Sequence, residues 1–250
     1  YEAGILEIFG QIVEKGLVTR QLKPIHWSIG AQSALAEAEL EYKDIASPSI
    51  FVNFPVADTS KSRLIETGLV TEQQAQEATV AFMIWTTTPW TLAANLAVAA
   101  NPNLEYTTIS YELDGRRFVC LIAADRVKAV IEAGQVPEDQ VTVSEKTVLG
   151  SELEGIRYNH PFVQKNPTDK DAWMLILADY VTTEDGTGLV HIAPGHGIED
   201  YVSGQNYDLA IYSPVNNDGS YDQTVPDWLR GKNVLEVDPE VNEYLRDIGL

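Results

Sequence analysis

Two stretches of this sequence gather residue types that can do chemistry. In the first, Trp85, Thr86, Thr87, Thr88, Pro89, Trp90 and Thr91 follow an apolar run directly. A strand that breaks at Pro89 exposes backbone polar groups, and three successive hydroxyls add donors and acceptors able to hold a polar substrate or a water. The same residues also fit an ordinary Thr-rich strand end closed by a proline turn. The second stretch, residues 186–201, holds His191 and His196, four glycines (Gly186, Gly188, Gly195, Gly197) and the carboxylates Glu199 and Asp200. Glycine is chosen where a side chain would collide, so backbone here is expected to approach something closely. A carboxylate at Asp200 facing a cleft would anchor an ammonium group; at a helix start it would equally complement the macrodipole. His191 reads as a pocket wall or as a satisfied strand-end histidine. His191, His196 and Asp200 could also supply three zinc ligands, but their spacing matches no usual template. The sequence has no serine elbow, Walker A loop or dinucleotide fingerprint, and His26 and His160, each close to a proline, read as structural.

The elements that must position these residues are mostly strands. β-branched and aromatic runs predict strands over residues 50–56, 79–85, 106–113, 116–122, 141–149, 173–177 and 188–192, with a two-residue hairpin at Asp114 and Gly115 and a further turn at residues 217–219. Residues 123–133 predict a short helix ended by Gly134. Ile5, Ile8, Phe9, Ile12 and Val13 form the stripe of an amphipathic helix that needs a partner surface. Residues 23–28 read as extended, residues 34–42 as strand or short helix, and residues 45–49 as a connector. The order of elements predicts a mixed α/β, β-rich fold, a barrel-like core of antiparallel or mixed strands decorated by helices. The chain starts at Tyr1 inside a helical pattern and ends over residues 240–250 in a helix without a C-cap, which reads as a piece of a longer protein.

Composition narrows the function classes. With 37 Asp and Glu against 17 Lys and Arg the net charge is −20, which repels phosphate backbones unless a local basic strip exists. The 44% hydrophobic content is enough for a core. The apolar stretches are too short for a bilayer span, so no membrane partner is expected. The single Cys120 permits no internal disulfide.

Taken together, residues 85–97 and 186–201 resemble the editing domain, or connective peptide 1, of bacterial-type isoleucyl-tRNA synthetases, and residues 23–27 and 34–42 resemble the strands that join that domain to the aminoacylation domain. The resemblance implies the editing-domain fold of the Ile, Val and Leu synthetases, a connecting segment over residues 1–45 and the editing domain over 46–250. It implies hydrolysis of the ester in Val-tRNA(Ile), without metal or other cofactor and assisted by a ribose hydroxyl of the substrate. Thr86, Thr87 and Thr88 match the peptide that holds the terminal adenosine and the ester near the hydrolytic water, and Asp200 matches the carboxylate that grips the α-ammonium. His191 matches the wall that admits Val and rejects Ile; Trp90, Thr91 and Gly197 belong with the substrate-binding set. The implied partners are the CCA end of tRNA(Ile) carrying valine and the rest of a synthetase chain, in the cytoplasm, with a monomer as the default. Ala93 departs from the proline common at this position, and Ser28 and Ala31 stand where some relatives carry a cysteine pair. The aminoacylation signatures are missing from these residues. A binding module for aminoacyl-adenosine or an amino acid, without catalysis, is the alternative.

Overall fold

The computed structural model describes residues 1–134 and 138–250. Helix α1 (Glu2–Glu14) forms where the spacing predicts it, but Ile5, Leu6, Ile8 and Phe9 stand exposed and none of its residues is buried. Its apolar stripe meets no partner surface among the described residues. Strands β1 (Trp27–Ser28) and β2 (Ser33–Ala34) make a small antiparallel ribbon. The stretch left open between strand and helix therefore resolves into the end of β2 and one 3-10 turn, Glu37–Glu39. The Trp27 indole N–H donates to the Asn217 carbonyl (2.9 Å) and docks the ribbon on the body. No residue ahead of Val52 is buried.

The main sheet runs β3 (Ile50–Pro55), β4 (Thr79–Thr86), β7 (Arg116–Ala123), β6 (Glu105–Leu113) and β8 (Thr142–Val143), with β9 (Val148–Leu149) also on β6. β4 and β7 are parallel; the other pairs are antiparallel. β4 reads as a continuous apolar run because both faces are covered: Val80, Phe82 and Ile84 enter the main core, while Ala81 and Met83 enter a second cluster with Cys120 and Ile122. Asp114 and Gly115 both have positive φ (50° and 72°), as the tight hairpin requires. The strand expected over residues 141–149 divides into β8 and β9, because the Thr107 hydroxyl holds the carbonyls of Ser144 and Lys146 between them (3.1 and 2.9 Å).

A second sheet puts β5 (Ala97–Ala100) between β10 (Met174–Leu177), parallel, and β11 (Leu189–Ile192), antiparallel, and β11 packs on β4. The sheets are open: strand order is linear, and no pairing returns β8 to β3 among the described residues. Helices α2 (Asp58–Glu66) and α3 (Glu72–Glu77) fill the β3–β4 connection. α4 (Val127–Gly134) follows β7, α5 (Ile198–Asn206) follows β11, and α6 (Asp238–Ile248) closes the described chain. The reading of an uncapped last helix is corrected, since Gly249 is a left-handed cap (φ 72°) whose N–H donates to the Arg246 carbonyl. No helix among the described residues is long and apolar enough to cross a membrane.

Candidate functional site

The Thr-rich segment begins where β4 stops. Thr86 is buried, opposite Ile50, and its hydroxyl accepts the Thr88 N–H (3.0 Å). Pro89 then opens a 3-10 helix, Pro89–Ala94, at a position that needs no N–H donor. The Thr87 carbonyl accepts from Ser47 (2.7 Å), while its exposed side chain has no hydrogen bond among the described residues. Trp90 is pinned through its backbone: its N–H donates to the Asp238 carboxylate at the start of α6 (2.9 Å), and its carbonyl accepts from the Tyr221 hydroxyl (2.6 Å).

The second segment enters through Gly188, whose φ of +74° suits glycine and whose Cβ would lie 2.3 Å from that of Ala123. The loop ahead of it is gathered on Arg126, which donates to the carbonyls of Thr183, Glu184 and Gly186. Beyond β11, a Cβ on Gly195 would meet the Tyr212 carbonyl at 2.1 Å, and one on Gly197 would meet the Asp200 carboxyl carbon at 2.8 Å. What the glycine-rich backbone approaches closely at these positions is the chain itself.

The two segments meet. Thr91 and His191 share a hydrogen bond (Oγ1 to Nε2, 2.8 Å), and the Thr91 hydroxyl also donates to the Thr88 carbonyl (2.8 Å). His191 Nδ1 faces the Asn95 amide nitrogen (3.2 Å), whose carbonyl oxygen accepts from the Tyr158 hydroxyl (2.5 Å). Burial first, then the neighbouring His160 and His196, hold His191 down at about 3, so it is neutral at physiological pH. Trp90 packs edge-on against the His196 ring (5.0 Å between centroids); His196, lowered to about 4 by burial, has a buried Nε2 with no partner among the described residues.

Asp200, the third residue of α5, accepts the Ala193 N–H just past β11 (2.9 Å). Burial raises its carboxyl to about 6 against the opposing pull of that hydrogen bond. It is therefore both a helix-start acid and a partly desolvated one with a second oxygen to offer.

Thr86, Thr87 and His191 line one cavity of about 340 Å³, with Trp85, Thr187 and the backbone gathered on Arg126 along its walls. Thr88, Trp90, Thr91, Gly197 and Asp200 lie outside its lining. A larger cavity of about 560 Å³, between the other face of the main sheet and α4 and α6, contains none of the candidate residues. Thr91 has its hydroxyl proton and an acceptor position engaged within the protein, so it supports the site from behind. Both His191 nitrogens are likewise engaged, and His191, His196 and Asp200 form no metal-binding group among the described residues. His160 is buried and fully used: its Nε2 donates to the Leu92 carbonyl, and its Nδ1 accepts from the Phe162 and Val163 N–H groups.

Sequence reasoning missed Asn95, Tyr158, Tyr221 and Asp238. Asn95 carried a signal, a lone amide inside an apolar run. The other three act across 63, 131 and 148 residues, a separation that no local pattern spans.

The family model for class I tRNA synthetases (I, L, M and V) matches residues 1–228. The chain is 40% identical over 249 residues to an isoleucine–tRNA ligase of Enterococcus faecalis and over 247 residues to one of Lactococcus lactis, matching 100% and 99% of this chain. It spans only 24% of either relative, about a quarter of their length. The editing domain of the P. knowlesi cytosolic leucyl-tRNA synthetase superposes with a TM-score of 0.56 at 13% identity, over 81% of this chain and 94% of that one. At that identity the likeness establishes a shared fold.

Proposed function

We propose, for a chain that belongs to the class I tRNA synthetases of the isoleucine, leucine, methionine and valine group, that it is a proofreading esterase: it hydrolyses the ester of valine mischarged onto tRNA(Ile). One observation carries the reading. Thr86 and Thr87 at the end of β4 and the neutral imidazole of His191 on β11 line one cavity, and the Thr91–His191 bond ties the two segments together across 100 residues. The editing-domain fold and the names of the relatives support it.

In this reading the ionised Asp200 carboxylate takes the α-ammonium of the aminoacyl group. Thr86, Thr87 and Thr88 hold the ester and a water, Trp90 flanks the terminal adenosine, and His191 walls the side-chain space while Gly197 gives the carboxylate room. A base at about 3 is poorly matched to proton abstraction at neutral pH. Rate enhancement then comes from orientation, with a ribose hydroxyl of the substrate directing the water. One methylene in an apolar pocket discriminates by only ~1–3 kcal/mol, a magnitude taken from the isoleucine–valine problem itself and not worked out from this cavity. A second site that excludes the larger side chain is the chemical answer. Residues 1–45 act as the connection to the aminoacylation part of a longer cytoplasmic synthetase, which holds the body of the tRNA while the CCA end enters as far as a monomeric domain of net charge −20 allows.

The test is deacylation of Val-tRNA(Ile) and Ile-tRNA(Ile), by this chain and by the chain within a full-length synthetase. Loss of valine with retention of isoleucine supports the proposal. Tight binding of a non-hydrolysable valyl-adenosine analogue with no turnover of either ester would make the chain a binding module instead.

A further inference from the structure

We propose that Tyr158 is a positioning residue which, through Asn95, holds His191 in its neutral Nε2–H tautomer and thereby fixes the Thr88 carbonyl of the hydroxyl-bearing segment. The catalytic consequence rests on the esterase reading above; the tautomer does not.

The direction of each hydrogen bond follows from groups that have no choice. A backbone carbonyl can only accept. The Thr91 hydroxyl has one proton, which it gives to the Thr88 carbonyl at 2.8 Å. Toward His191 it can then only accept, so Nε2 carries the ring proton. The same answer comes independently from the other end. The Asn95 amide nitrogen donates to the Ala97 carbonyl at 2.8 Å, which fixes the orientation of the amide. Its second N–H then faces His191 Nδ1, which must be the unprotonated nitrogen. With the amide so oriented, the Asn95 oxygen accepts from the Tyr158 hydroxyl, its sole partner among the described residues.

Tyr158 is 2% exposed and Asn95 is 2% exposed, so water cannot readily replace either group. Tyr158 is also held mechanically, its ring edge-on to Phe54 (5.3 Å between centroids) and to Phe82 (6.1 Å). Four hydrogen bonds thus run from a phenol in the core to the main chain of the Thr-rich turn, all pointing one way. Without the phenol hydroxyl the Asn95 oxygen is a buried orphan. It regains a partner by rotating toward His191 Nδ1, which then takes the ring proton, at the expense of the amide's bond to the Ala97 carbonyl, so the two arrangements compete. Nε2 would become an acceptor, the Thr91 hydroxyl would turn to it, and the Thr88 carbonyl would lose that proton.

The experiment uses the chain labelled with ¹⁵N-histidine, in long-range ¹H–¹⁵N correlation spectra, with the His191 signals assigned by their loss in His191→Gln. The expected parent spectrum shows a protonated Nε2 and a bare Nδ1. Tyr158→Phe should move these signals toward a mixture of tautomers and lower kcat for Val-tRNA(Ile) about tenfold, as for loss of one buried hydrogen bond, with KM unchanged. Thr91→Val breaks the relay from its other end and should give the same spectral change; Thr91→Ser, which keeps the hydroxyl, should restore the parent spectrum and rate. A protonated Nδ1 in the parent, an unaltered His191 spectrum in both Tyr158→Phe and Thr91→Val, or altered tautomers with unchanged kcat would overturn the proposal. A parent chain that hydrolyses neither ester yet shows the Nε2 proton sinks the esterase reading while upholding the tautomer assignment.

Discussion

Asp200→Asn should stabilise the fold at neutral pH while it removes activity. Burial raises the Asp200 carboxyl from 3.8 to about 6 in the folded chain. At ~1.36 kcal/mol per pH unit, keeping it ionised costs the native state about 3 kcal/mol. The sign follows from proton linkage. Between 3.8 and about 6 the folded chain binds the proton that the unfolded chain has released, so stability falls as pH rises through that window and stays lower above it. Asparagine abolishes the cost. Its carbonyl oxygen can still accept the Ala193 N–H, and the extra strength of that bond to a carboxylate is already contained in the value of about 6. The net gain is about 3 kcal/mol at pH 7.5 and close to nothing at pH 4. At ~2–4 °C per kcal/mol for a chain of this size, Tm should rise roughly 6–12 °C at pH 7.5. In the same variant kcat/KM for Val-tRNA(Ile) should fall roughly 10- to 100-fold, the worth of a charge-assisted hydrogen bond to the ammonium. The parent's kcat/KM should climb through about pH 6 and level off above it. Calorimetric scans at the two pH values, beside deacylation rates, decide the matter. A variant less stable than the parent at pH 7.5 would make the carboxylate a structural helix-start acid and refute this reasoning.

Gly197→Ala puts a Cβ 2.8 Å from the Asp200 carboxyl carbon at an ordinary backbone angle, so it should displace the carboxylate and lower deacylation about tenfold or more, with the pH profile moving to lower pH as the acid escapes burial. Thr87→Ala should leave thermal stability within ~0.5 kcal/mol, since the exposed hydroxyl bonds to nothing among the described residues, yet slow the hydrolysis; an unchanged rate removes Thr87 from the site. His191→Ala should raise the hydrolysis of Ile-tRNA(Ile) relative to Val-tRNA(Ile) in a paired assay. It should also cost about 2 kcal/mol in chemical denaturation, because Thr91 and Asn95 lose their buried partner.

Much of this fold was legible because its strands carry their own signals. The β6–β7 hairpin follows from two β-branched runs around Asp114 and Gly115, whose left-handed angles the pair supplies at little cost. β5 was not legible: three of its four residues, Ala97, Ala99 and Ala100, have little strand propensity, and the segment forms a strand because β10 and β11 enclose it completely. α3 was announced and overlooked, for Thr71 and Gln74 make a capping box (3.1 and 2.9 Å) at its start. In the site, residue types pointed to Thr86, Thr87, His191 and Asp200, but types alone do not separate a hydroxyl that faces a cavity from one already engaged. Thr87 is exposed and Thr91 is 9% exposed and doubly bonded, although the two stand four residues apart in one motif. That division is made by β11, brought alongside β5 and β4 from a hundred residues downstream.

The ionisation states of the cluster set limits on the chemistry such a site can perform. His191 and His196, at about 3 and about 4, stay neutral under working conditions, and Asp200, at about 6, is the group in this cluster whose charge changes near neutrality. A carboxylate in that state is suited to gripping a cation. In the proposed esterase, with both imidazoles neutral and the carboxylate given to the ammonium, the hydroxyls at the end of β4 would act by placement. Well-oriented reactants can recover ~7–11 kcal/mol of a barrier in that way. Placement demands stiffness, and so does exclusion, because a wall that yields by the width of one methylene forfeits the ~1–3 kcal/mol that separates the two substrates. The relay from Tyr158 to Thr88 serves both demands with one set of bonds, since the imidazole that would exclude isoleucine is also tied to the main chain that would hold the ester.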